Sequence, residues 1–222
     1  MTSAVPVPDD LPVPEPVEGL WITFEGGDGS GKTTQAALLE DWLRDRGRTV
    51  VRTREPGGTE VGELIRAIVL HHRGDIAPRA EALLYAADRA HHVATLVQPA
   101  LARGDIVIQD RYLDSSVAYQ GAGRVLDADE IRNLSLWATG GALPRITVLL
   151  DLDPNVARHR LDADDKPFDR LEAEESDFHA RVRAAYLELA AAEPDRFLVL
   201  DATRDADELA AAVRARVADA LD

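Results

Sequence analysis

One stretch limits what this chain can fold into more than any other: FEGGDGSGKTTQ, residues 24–35. Gly26, Gly31, Lys32 and Thr33 fit the spacing G-x-x-x-x-G-K-[ST]. Leu20 to Phe24, just before it, is short and largely apolar, as a buried strand is. Thr34 to Arg46, just after it, carries Ala37, Leu38 and Trp42 at helical spacing, with Leu39 and Leu43 beside them. A strand, a glycine-rich turn and a helix start in this order form a phosphate cradle. Glycines let backbone amides converge on a phosphate without a side chain in the way. The helix start adds unpaired N–H groups and a partial positive charge. Residues Gly26, Gly27, Asp28, Gly29, Ser30, Gly31, Lys32, Thr33 and Thr34 are therefore the expected nucleotide-phosphate binders, with Lys32 reaching the terminal phosphates and Thr33 available to magnesium.

The rest of the chain alternates in the same way. Strands are expected at Arg48–Thr53, Asp105–Gln109, Ile146–Leu150 and Phe197–Leu200, the fourth strand (Ile146–Leu150) apolar enough to be buried on both faces. Helices are expected at Glu60–His71, from Pro78 to about Pro99, at Asp127–Ala138, 154–161, Leu171–Ala192 and Asp205–Ala220. Strands separated by helices predict an α/β fold: a three-layer sandwich with a parallel, five-stranded sheet covered on both faces. Residues 1–19 hold five of the prolines and are expected to form an extended or disordered tail, leaving 20–222 as one domain.

Composition excludes some functions. The net charge of −15 argues against a non-specific nucleic-acid binder, and the absence of cysteine removes disulfides and thiolate metal sites. No apolar run has transmembrane length, and the first 19 residues lack the basic end and apolar run of a signal peptide. The expectation is a cytoplasmic protein with no membrane or nucleic-acid partner.

In an open parallel sheet, ligands gather at the carboxyl ends of the strands. Asp28, Glu55 and Asp110 stand there, Asp110 followed by Arg111. A carboxylate at that place holds magnesium or pairs with an arginine. Arg54, Arg66, Arg89 and Arg111 add forks suited to phosphate and point to a second anionic substrate. The pairs His71–His72 and His91–His92 are poorly placed to chelate one ion, since neighbours on a helix point in different directions, and are expected to be surface or hydrogen-bonded histidines.

The ordered set FEGGDGSGKTTQ, TREPGGTEVGELIR, ALLYAADRAHH, DRYLDSSVAYQG and FDRLE resembles thymidylate kinase, from Trp21 to the last helix. The resemblance implies the nucleoside-monophosphate-kinase fold, ATP as donor, dTMP as acceptor, Mg²⁺, and a homodimer. By position it implies that Asp28 lies beside the acceptor's sugar and phosphate, and that Arg66 and Arg111 hold the dTMP phosphate. It places Tyr85 where the family stacks an aromatic ring on thymine, Arg89, Ser116 and Gln120 around the base, and Glu55 and Asp110 at the magnesium and its waters. Arg158, Arg160 and Arg170 match basic residues in or beside a mobile lid, about 158–170. Because the phosphate loop has no arginine, the chain resembles the bacterial type in which the lid supplies the cations. The lid also carries Asp162, Asp164, Asp165 and Asp169. A kinase of another nucleotide or of a deoxynucleoside and a nucleotide-binding regulatory protein are the rival readings.

Overall fold

The computed structural model describes residues 19–72, 74–123, 126–163, 170–172, 174 and 176–221. Its centre is a five-stranded, wholly parallel sheet in the order β2-β3-β1-β4-β5, formed by β1 (Leu20–Glu25), β2 (Val50–Arg54), β3 (Ile106–Asp110), β4 (Ile146–Asp151) and β5 (Phe197–Asp201). All six residues of β1 are buried, while the edge strands β2 and β5 alternate between buried and more exposed positions. This difference is the expected one: inner parallel strands are covered on both faces, and their sequence reads as a continuous apolar run.

Successive residues of β1 face opposite layers. Ile22 and Phe24 join a core with Leu39 and Leu43 of α1 (Lys32–Arg44) and Val213 and Val217 of a closing helix (Ala206–Leu221). Trp21 faces the other side and stacks edge-on against Tyr112 at 4.5 Å between ring centres. Between β2 and β3 lie α2 (Glu60–His71) and α3 (Pro78–His92); α3 runs on through a π-helical stretch, Val93–Val97, into α4 (Gln98–Ala102). After β3 come α5 (Leu113–Ser116), a second π-helical stretch (Val117–Gly123) and α6 (Ala128–Thr139). Pro154–Asp162 is α7, Ser176–Ala192 is α8 and the closing helix is α9.

Three segments depart from the sequence expectation. The helix from Pro78 passes Pro99 rather than ending near it. Proline lacks the N–H for an ordinary helical bond, and here the backbone has already widened, Gln98 N–H donating to Val93 O five residues back. DRYLDSSVAYQG, given no element of its own, is helical from Leu113. Leu171, expected to begin a helix, is buried in a turn, and α8 begins at Ser176. The preceding Arg170 N–H donates to Leu70 O at the end of α2, which ties this turn to another element. Residues 1–18 of the expected tail and 164–169 of the expected lid, with Asp164, Asp165 and Asp169, lie outside the described residues.

Candidate active site

The phosphate loop joins β1 to α1 at the carboxyl edge of the sheet. Gly26 has φ 129° and packs so closely that an added Cβ would lie 2.5 Å from Leu150 O, so only glycine fits. The loop ends at Gly31, φ 94°, and no side chain caps α1. By contrast Thr59, Asp127 and Asp153 cap α2, α6 and α7 through their own oxygens. The start of α1 therefore keeps its N–H groups and its positive end for an anion. Thr33 and Thr34 stand exposed on its first turn. Lys32 Nζ donates to Gly26 O and Gly27 O, at 3.1 and 2.9 Å, and lies 3.9 Å from Asp28 Oδ1. Burial, and then Arg111, lower the lysine's pKa. Ser30 Oγ is buried with no hydrogen-bond partner.

A cleft of about 470 Å³ opens in front of the loop, bordered by Lys32, Thr33, Arg66, Asp110, Arg111 and Arg160. Asp110 Oδ1 is buried there without a partner. Arg66 Nη1 is held by Pro56 O at 2.9 Å. Arg160 reaches Gly29 O at 3.3 Å and Ala202 O at 2.9 Å, which anchors it over the loop. The other two lid arginines lie elsewhere. Arg158 donates to Glu172 O, pairs with Asp162 and lines a neighbouring cavity behind Gly26 and Gly27. Arg170 donates to Val69 O and pairs with Glu81. As placed, only Arg160 of the three borders the phosphate cleft.

A second pocket lies beside the first, lined by Tyr85, Arg89, Ser116, Gln120 and Leu70. Asp28 and Arg111 line both. Arg111 has φ 66°, a left-handed conformation that residues other than glycine rarely adopt, and this directs its fork across the junction. Its Nη2 donates to Asp28 Oδ1 at 2.6 Å and to Tyr119 OH at 3.3 Å; its Nη1 donates to Ser115 Oγ and Tyr186 OH at 3.2 and 3.3 Å. Burial alone would raise the Asp28 pKa, but Arg111 and then Lys32 outweigh it and bring it down to about 2. Beneath this fork sits Glu25, accepting from Tyr112 N–H, Ser115 Oγ and Tyr186 OH at 2.7, 2.6 and 3.0 Å. Burial and the neighbouring Asp114 push its pKa up to about 7.

Glu55, expected at the metal, has both carboxylate oxygens engaged elsewhere. Oε2 takes Arg89 Nε at 2.9 Å and Oε1 lies 2.8 Å from His92 Nδ1. The cause is burial: Arg89, 2% exposed, and His92, 0% exposed, need that carboxylate as partner. Arg89 spends its remaining nitrogens on Ser135 Oγ, Tyr112 O and Ser116 Oγ. His92 also meets Thr53 Oγ1 at 2.6 Å, so it is hydrogen-bonded in the interior.

The chain that carries these two adjoining pockets is similar to known proteins over most of its length. The thymidylate kinase family model matches residues 24–213. This chain belongs to the thymidylate kinase family. It is 70% identical over 207 residues to a thymidylate kinase of Leifsonia xyli, covering 93% of this chain and 98% of the relative. It is 54% identical over 205 residues to one of Bifidobacterium longum, covering 90% and 98%. The crystal structure of thymidylate kinase from Ehrlichia chaffeensis superposes with a TM-score of 0.69 at 34% identity, over 82% of this chain and 93% of that one. The P-loop fold of nucleoside-monophosphate kinases is thereby established for this chain.

Several functional candidates escaped the sequence reading. Glu25 had a signal, a carboxylate ending an apolar strand directly before Gly26. Ser115 and Tyr119 lay inside a recognised motif. Tyr186, on α8, and Glu81, on α3, had none, since only the folded chain brings them to the site.

Proposed function

We propose that this chain phosphorylates dTMP to dTDP with ATP by direct, in-line phosphoryl transfer, as one catalytic unit spanning residues 20–222. The observation that carries the reading is the shared wall: the cleft at the phosphate loop and the pocket lined by Tyr85, Ser116 and Gln120 meet at Asp28, Glu55, Arg66 and Arg111. Two phosphorylated substrates seated on either side would bring their phosphates together there. The open start of α1, Ser30 and Lys32 hold the donor phosphates, and Arg160 closes over them from the lid. Arg66 and Arg111 hold the acceptor phosphate. Tyr85 stacks on the base, and Ser116 and Gln120 face its edge. An acceptor oxygen bonds to the γ-phosphorus as the bond to the bridging β,γ-oxygen breaks. The acceptor phosphate is ionised near neutral pH, its second pKa being about 6, so no strong base is needed. Catalysis lies in alignment, exclusion of water and charge neutralisation.

Family membership implies Mg²⁺ as well. The residues fit it: Asp110 has a buried oxygen without a partner, and Thr33 borders the same cleft. No group of three or more potential ligands exists among the described residues, which suits an ion that keeps waters and binds mainly through substrate phosphates. When bound, magnesium would offset charge on those phosphates. Glu55 has no such oxygen free.

The same reading makes the enzyme a cytoplasmic homodimer. No described helix is long and apolar enough to cross a membrane. Val61, Leu64 and Ile68 form an exposed apolar stripe on α2, which supports pairing of two copies. The decisive experiment is ATP-dependent phosphorylation of dTMP, dUMP, dCMP, dGMP and thymidine side by side. dTMP is expected to give the highest kcat/KM; nucleotide binding without transfer to any acceptor would point to a regulatory protein instead.

A further inference from the structure

Gln120 lies in the π-helical stretch after α5, 2% exposed, on the wall of the pyrimidine pocket. An amide side chain there is ambiguous, because its oxygen accepts and its nitrogen donates. Here the ambiguity is resolved from outside the pocket. Glu81, fully buried on α3, takes a hydrogen bond of 3.1 Å from Gln120 Nε2 through Oε1. Arg170 Nη2 donates to its other oxygen. A carboxylate so placed between two donors accepts from both. One amide N–H is thus taken by Glu81, which turns the nitrogen end of the amide toward α3, and no described residue donates to the amide oxygen.

We propose that Glu81 is a positioning residue for base choice: it fixes Gln120 with its oxygen toward the pocket, so that the site takes a pyrimidine that donates at N3 and refuses one that accepts there. The inference rests on the reading of this pocket as the dTMP site. Thymine carries a proton on N3 and cytosine a lone pair, and a buried acceptor facing a lone pair leaves both unsatisfied. Ser116 complements the arrangement. Its Oγ accepts from Arg89 Nη2 at 3.0 Å and keeps its own proton to donate to a base carbonyl. Arg170 then has a place in recognition, through Glu81, distinct from the phosphate-neutralising role expected of a lid arginine.

Glu81→Gln tests this with little change of shape. Arg170 would claim the new amide oxygen, which leaves the new NH₂ against Gln120 and turns the Gln120 amide over. The expected result is a fall in kcat/KM for dTMP, a rise for dCMP, and a preference narrowed at least about tenfold. A purely structural role lowers both substrates together and cannot raise dCMP; an unchanged ratio, or equal losses, would overturn the proposal. If Glu81→Gln does not fold because Arg170 loses its counter-charge, the double variant Glu81→Leu/Arg170→Leu removes the cation and the acceptor together, releases the Gln120 amide and must still narrow the ratio. Gln120→Ala separates the levels: an unchanged ratio there removes Gln120 as the base reader and the proposal with it, whereas narrowing there but not in Glu81→Gln removes Glu81 alone. Wild-type turnover of dTMP in the same assay checks the underlying function.

Discussion

The two halves of the site are built on opposite plans. On the donor side, polar groups wait. The start of α1 has no cap, Ser30 Oγ and Asp110 Oδ1 have no partners, and Lys32 rests on loop carbonyls. On the acceptor side the main polar side chains are already engaged: Arg89 makes four hydrogen bonds, Glu55 uses both oxygens, and Gln120 is held by Glu81. The lesson is one of substrate variety. A triphosphate and the cation it carries can satisfy donors and a carboxylate left open, so that half of the site can leave them waiting. A base differs from its rivals by a proton or a methyl group, and discrimination demands groups fixed beforehand.

The largest effect should come from the waiting side. Lys32→Ala removes a charge aimed at the transferring phosphoryl group, and kcat should fall by about 10²–10³-fold while circular dichroism stays unchanged. A folded variant with near-normal turnover would mean that the open donor side does not carry the chemistry.

Arg111→Ala cuts the junction between the halves. The guanidinium belongs to the acceptor's phosphate in this reading, so calorimetry should show dTMP affinity falling by about 2–3 kcal/mol. ATP affinity should change much less. Equal losses for both nucleotides would erase the distinction between the halves.

The smallest effect lies beneath the junction and appears as pH dependence. The folded-state pKa of Glu25 is raised to about 7 from a reference of 4.5. Between those values the native chain holds a proton there that the unfolded chain has released. Its contribution to stability is therefore full below about pH 4.5 and declines as pH rises through 7. Relative to Glu25→Gln, the wild-type melting temperature should drop by a few degrees between pH 5 and pH 8. Parallel melting curves across that range would show that the carboxylate titrates at its ordinary value.

How much of this was legible depends on distance along the chain. The strands showed themselves as apolar runs because the inner ones are buried on both faces. The phosphate loop, Asp110 and Arg111 were readable because each sits one residue or one turn from the strand that positions it. The partners that Glu55 and Arg170 take in the structure were not legible, for a common reason. A charged residue near a phosphate site reads as a ligand for metal or phosphate, yet both are committed to buried partners on other elements: Arg89 and His92 for one, Glu81 for the other. Such pairs join residues 34, 37 and 89 positions apart, and no local pattern announces them. The helix after Arg111 was hidden differently. Its sequence has no strong helical periodicity, and its stability comes from packing Tyr112, Leu113, Val117 and Ala118 into the interior.

The shared wall of Asp28 and Arg111 has a thermodynamic consequence. Asp28 lies within reach of both the lysine of one cleft and the arginine of the other. A donor nucleotide that draws Lys32 away leaves Asp28 more firmly with Arg111, and an acceptor that draws Arg111 away leaves Asp28 more firmly with Lys32. Whatever factor one nucleotide imposes on the binding of the other must be returned unchanged. In the function proposed above, the two sites would share one carboxylate, and any coupling through it would be reciprocal.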